Sequence, residues 1–166
     1  MHLHLAFTSL TNLFFAFAHA SPILPRAGAG GPVAKPIPST CTLTNPLIQH
    51  NTSKCTTNNS TNTSGYKPSL TFTSTHFLYE SYFTLPTPAE ELWTQCSQQC
   101  YGYGEEGDCK SAVFANEVPV PEGYYGAEGG ELVSACLLFD EWLEVEDFEG
   151  TEEGEWVGVR AGSIRC

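Results

Sequence analysis

The chain has 166 residues, a net charge of −12 and seven cysteines, enough for one domain with extensions and too short for two well-buried ones. All 19 Asp and Glu residues lie at Glu80 or later, where Lys110, Arg160 and Arg165 are the only bases, so that part carries −16. Such a surface repels phosphate, which argues against nucleic acid and against anionic membrane as partners, and its plain use is solubility outside the cell.

Residues 1–20 contain an apolar run, Leu10 to Ala18 broken by Thr11 and Asn12, that ends in Ala18-His19-Ala20. Small residues after an apolar stretch mark a secretory signal peptide and its cleavage site, and the run is shorter than the ~20 residues that span a bilayer. The expectation is a soluble protein that is secreted, extracellular or in the cell wall. All seven cysteines follow the signal, so they are expected to form a disulfide framework with one thiol left over. Residues 21–40, rich in Pro, Gly and Ala, form a flexible leader or linker in this view.

Residues 41–68 are dominated by Thr, Asn and Ser and hold N-glycosylation acceptors at Asn51, Asn58, Asn59 and Asn62, of which adjacent Asn58 and Asn59 would not both be modified. The composition changes at Ser69. SLTFTSTHFLYESYF alternates apolar and polar residues, which predicts one or two half-buried strands and the start of a domain over 69–166. His50 and His76 are the only histidines beyond the signal, too few for a metal ligand set.

Thr87, Pro88 and Glu90 then have the pattern of a capping box, with Thr87 as N-cap and Pro88 at the first helical position. Ala89, Leu92, Trp93, Cys96 and Cys100 follow at spacings of three and four, so they share one face of a helix, with Glu91, Gln95, Gln98 and Gln99 outward. Gly102 and Gly104 end it. The loop Gly102 to Asp108 has glycines but also three acids, which makes phosphate binding electrostatically wrong.

Cys109 to Ala115 reads as a strand. Asn116 to Gly130 reads as a long surface loop, a place where function often sits, and Leu132 to Phe139, the most apolar run after the signal, reads as a central strand. The acidic stretch Asp140 to Glu155 suggests calcium, yet no register of it gives the required ligand loop, and Trp142, Leu143 and Phe148 would pack it on the domain as a short helix or turn. Trp156 to Arg160 reads as an edge strand. No metal and no cofactor are expected.

The run C-x3-C-x8-C from Cys96 to Cys109, followed by Lys110-Ser111-Ala112-Val113-Phe114, Ala135-Cys136-Leu137-Leu138-Phe139 and a final Cys166, resembles the PAN/apple domain of small secreted fungal proteins. The resemblance covers about Ser69 to Cys166. It implies an α+β fold, an antiparallel β-sheet packed against one α-helix and stapled by disulfides, which binds protein or carbohydrate without catalysis. It further implies bridges of Cys96 with Cys136, of Cys100 with Cys109, and of Cys166 with an N-terminal cysteine. Cys41 and Cys55 compete for that last role; pairing Cys41 leaves Cys55 unpaired or free to link a second chain as a disulfide-bonded dimer. Two cysteines upstream, the long Cys109 to Cys136 insertion and the acidic tail depart from the pattern.

Three functions are in view. A non-enzymatic binding module would recognise an extracellular glycan or protein through Tyr101, Tyr103, Tyr124 and Tyr125, since aromatic faces in loops stack on sugars. A secreted effector or cell-surface interaction protein would present its acidic face to a partner. A hydrolase would need two carboxylates at a defined separation, and neither G-x-S-x-G nor H-E-x-x-H accompanies them.

Overall fold

The computed structural model describes residues 31–49, 65–84 and 86–166. The expected signal peptide, His50, Asn51, Cys55, Asn58, Asn59 and Asn62 lie outside them. In chain order the elements are β1 (Thr42–Thr44), a single helical turn α1 (Pro46–Gln49), β2 (Tyr66–Pro68), α2 (Leu70–His76), β3 (Phe77–Phe83), α3 (Ala89–Tyr101), β4 (Ser111–Pro119), β5 (Leu132–Phe139), β6 (Phe148–Gly150) and β7 (Val157–Arg165). Antiparallel pairing builds a five-stranded sheet in the order β1-β7-β4-β5-β3 and a small sheet of β2 with β6. The class is the α+β one expected, and the sheet is antiparallel as expected.

Strand periodicity explains how one sheet serves two cores. Successive side chains point to opposite faces, so Ala112 and Phe114 of β4 and Cys136 and Leu138 of β5 meet Leu92, Cys96 and Cys100 of α3. Val113, Ala115, Ala135, Leu137 and Phe139 turn the other way, onto Phe72 of α2, Leu47, Leu143 and Trp156. A sheet packed on one helix was expected; this sheet is covered on both faces. That explains why β5 reads as continuously apolar rather than alternating.

Three disulfides hold these layers. Cys96–Cys136 joins α3 to β5, Cys100–Cys109 closes the turn after α3, and Cys41–Cys166 joins the residue before β1 to the end of β7. Cys41, rather than Cys55, partners Cys166. Residues 31–40 run over the end of α3, where the Lys35 amide donates to the Gln98 carbonyl at 3.0 Å and Ile37 packs on the helix-side core. Gly102 must be glycine there, because a Cβ would collide with the Val33 carbonyl oxygen.

Several local expectations give way. Ser69 to Phe83 is not all strand: Ser69 caps α2 by accepting the Phe72 amide at 3.2 Å. Ser74 and Thr75 turn their hydroxyls back to the Thr71 carbonyl, so local hydrogen bonds and the burial of Phe72 override the β propensity of the Thr-rich run. His76 consequently ends a helix, with Nδ1 2.9 Å from Asp140 Oδ1.

The capping box at Thr87 does not form. Pro88, which has no side-chain acceptor, is the N-cap and makes no side-chain cap bond, and the Glu90 carboxylate is taken instead by Arg160 of β7 in a bidentate pair at 2.6 and 2.7 Å. The guanidinium holds the Glu90 carboxyl below its ordinary value. Gln98 and Gln99 are half-buried instead of outward, and the strand expected from Cys109 begins at Ser111. β4 also runs on through Asn116 to Pro119, which had read as loop. The strand expected over Trp156 to Arg160 is the first half of β7, paired there with β4 alone, and it runs on to Arg165, where β1 pairs with residues 163–165 on its other side.

The acidic stretch after β5 is pinned from below. Ser111 and Ser163 lie buried with hydroxyls 3.1 Å apart, and both accept the Leu143 amide, at 3.0 and 3.2 Å. Further on, Glu144 and Asp147 cap a 3-10 turn. Ser111→Ala would leave buried groups short of a partner and is expected to lower stability by about 1–3 kcal/mol in urea denaturation.

Candidate binding site

The outermost strand opposite β1 is β3, and the loop that reaches it is the β4–β5 connection. β5 lies between β4 and β3, with Tyr82 opposite Ala135 and Phe83 opposite Ser134, so the hairpin tip beyond Leu132 swings beside the end of β3. The tip is ordered by its own backbone: Val120 donates to Glu131, Gly130 to Val120, Gly123 to Ala127 and Ala127 to Tyr124, all at 2.8–2.9 Å. At Gly129, φ is +87° and a Cβ would lie 2.9 Å from the Glu122 backbone, so only glycine lets the two arms of the tip approach this closely.

These constraints bring Tyr82, Tyr124, Tyr125 and Glu80 to one edge. The Tyr82 and Tyr124 rings meet edge-on with centroids 4.6 Å apart, and the Tyr124 and Tyr125 rings do the same at 4.8 Å, the perpendicular geometry that ring quadrupoles favour. The Tyr82 hydroxyl donates to Glu80 Oε2 at 3.0 Å. Tyr125 crowns the cluster, 92% exposed, in a short 3-10 turn where its backbone sits at φ 46°, ψ 30°.

Burial pushes the Tyr82 hydroxyl far above the ordinary tyrosine value, and the Glu80 carboxylate beside it adds to the shift. Tyr79 and Tyr124 are raised by burial as well, Tyr79 further by Tyr125 and Tyr124 further by its tyrosine neighbours and Glu80, while a hydrogen bond from the Tyr82 backbone opposes the rise at Tyr124. Because the folded state keeps these protons longer, stability is full below the ordinary value of 10.0 and falls as pH rises above it toward the raised values. Denaturation midpoints measured against pH are expected to drop above about 10, less steeply in Tyr82→Phe.

The four tyrosines singled out from sequence therefore separate. Tyr124 and Tyr125 join the β3 edge, whereas Tyr101 and Tyr103 are half-buried against the α3 side of the core. Tyr101 also borders a concavity of about 570 Å³ with Glu106, Lys110, Trp142, Ile164 and Arg165. Its two bases are already engaged. Lys110 Nζ lies 4.8 Å and the Arg165 guanidinium 4.4 Å from the Trp142 ring centre, Lys110 pairs with Glu141 and Arg165 with Glu144, and the indole N–H donates to the Ile164 carbonyl. With its ring lined by these cations, Trp142 acts as a strut between β4 and β7.

Sequence reasoning missed Tyr82 and Glu80. Their alternation along a strand was visible, but their place beside the hairpin tip depends on the β3–β5 register. Among the described residues, no group of three or more His, Cys, Asp or Glu side chains could hold a metal ion, and no helix is long and apolar enough to cross a membrane. No protein-family model, curated protein or solved structure matches the chain.

Proposed function

We propose that this protein is a secreted, non-enzymatic binding module of apple-like type that recognises an extracellular glycan through the tyrosine edge formed by β3 and the β4–β5 tip. Tyr125 carries the proposal. A left-handed backbone costs a residue with a Cβ on the order of 1 kcal/mol, and a large apolar ring offered to water contributes little to folding. A strained, exposed aromatic of this kind fits ligand contact better than packing. Tyr124 and Tyr82 brace it from one side, and sugar rings stack on an aromatic face presented in that way.

Tyr125→Gly separates contact from scaffold. Glycine relaxes the φ 46° turn, so the variant is expected to be more stable by about 0.5–1 kcal/mol. The same change is expected to weaken retention on insoluble chitin or β-glucan about tenfold. Retention equal to that of the parent protein would refute the glycan assignment. Loss of retention together with loss of stability would point to a structural role for the ring.

A further inference from the structure

We infer that the glycan taken by this edge is cationic, a polymer of deacetylated amino sugar whose protonated amines meet Glu80 while its rings lie on Tyr125. The inference rests on the glycan proposal above and adds the charge of the ligand to it.

The distribution of charge carries it. No Lys or Arg occurs between Lys67 and Lys110, or between Lys110 and Arg160, so neither β3 nor the β4–β5 tip holds a base. The tip itself contributes Glu122, Glu128 and Glu131. Four of the five described bases face carboxylates elsewhere: Lys67 with Glu149, Lys110 with Glu141, Arg160 with Glu90 and Arg165 with Glu144. The fifth, Lys35, lies against Gly102 at the end of α3. Among the described residues the edge is thus aromatic and anionic, with no cation of its own.

Glu80 is placed to act within that field. It is half-buried on β3, and its Oε2 accepts the Tyr82 hydroxyl, which orients the carboxylate beside the rings. Oε1 has no hydrogen bond among the described residues. A neutral sugar could donate a hydroxyl to that oxygen but would leave the carboxylate's charge uncompensated once water is displaced, a cost that opposes binding. A protonated amine would supply the partner, and the same charge is attracted by the negative faces of the tyrosine rings. N-acetylation removes the charge and adds bulk at the atom in question, so the acetylated polymer makes the natural comparison.

The experiment is calorimetric titration of the secreted protein with the glucosamine hexamer and, separately, with the N-acetylglucosamine hexamer, at about 0.05 M and about 0.5 M salt. The expected result is a preference of about tenfold for the glucosamine hexamer at low salt, a smaller preference at high salt, and a ratio near one in Glu80→Gln. That variant can still accept the Tyr82 hydroxyl through its amide oxygen, and an unchanged melting profile would show that its fold is intact. Equal binding of the two hexamers, or a preference for the acetylated one, would overturn the inference and leave the glycan proposal standing. A preference that survives Glu80→Gln would overturn it too, by tracing the effect to the overall acidic field. Binding of neither hexamer would overturn the inference, and absence of retention on insoluble chitin and β-glucan as well would overturn the glycan proposal with it.

Discussion

The double variant Cys96→Ala/Cys136→Ala is expected to lose at least about 4 kcal/mol of stability, more than Cys41→Ala/Cys166→Ala loses. Chain entropy alone ranks the pairs the other way. Bridges spanning 40 and 125 residues restrict the unfolded chain by about 4 and about 5 kcal/mol respectively in that model. Two physical differences reverse the order. Cys96 and Cys136 are 0% exposed, so truncation also opens a gap between α3 and β5 and removes the dispersion contacts of two sulfurs. The outer bridge, by contrast, ties down a strand of three residues at the sheet margin, and release of that strand frays the margin locally while the two cores stay closed. Urea midpoints of the two double variants, measured without reductant, decide the matter. A larger loss in the Cys41/Cys166 variant would mean that entropy outweighs packing in this fold.

The parts of this architecture that can be read in the sequence are those governed by local pattern. Leu132 to Phe139 is β5 with the expected bounds, because eight residues without a charge have no stable place but a covered strand. The buried face of α3 is likewise visible, since Leu92, Cys96 and Cys100 recur at the helical period. The failures are equally physical. α2 was hidden because Thr and Phe favour strands on average, and only the Ser69 cap and the anchor of Phe72 on Phe139, with ring centroids 5.3 Å apart, tip the balance. The second half of β7 was hidden because its outer neighbour, β1, comes from the opposite end of the chain, with Thr42 facing Arg165.

The tyrosine edge shows the same division. Tyr124 and Tyr125 stand out in a Pro- and Gly-rich loop whose composition announces exposure. Tyr82 and Glu80 belong to the edge only because bulges between Phe77 and Tyr79 and between Ala115 and Val118 set the registers of β3 and β4 on β5. A register slip of one residue would turn Glu80 and Tyr82 to the α3 face, and no local pattern in the sequence fixes where those bulges fall.

Phe114→Ala is expected to lower stability by about 3–5 kcal/mol, a large share of the ~5–15 kcal/mol that holds a typical domain folded. Phe114 is 0% exposed on the middle strand of the sheet, opposite Cys136 on one side and Arg160 on the other. Its ring therefore fills the space beneath α3 where the Cys96–Cys136 bridge crosses to the sheet. Both neighbouring strands are fixed by hydrogen bonds and the helix by two disulfides, so little can move in to fill the void, and incomplete collapse is the condition under which truncation costs most. Phe114→Leu keeps most of the volume and should cost less than about 2 kcal/mol. The tyrosine edge provides a second readout, because β4 positions β5, β5 positions β3, and β3 carries Glu80 and Tyr82. At temperatures where Phe114→Ala remains folded, glycan retention should match that of the parent protein. A loss of retention without unfolding would show instead that strain travels from the α3 face through the sheet to the edge.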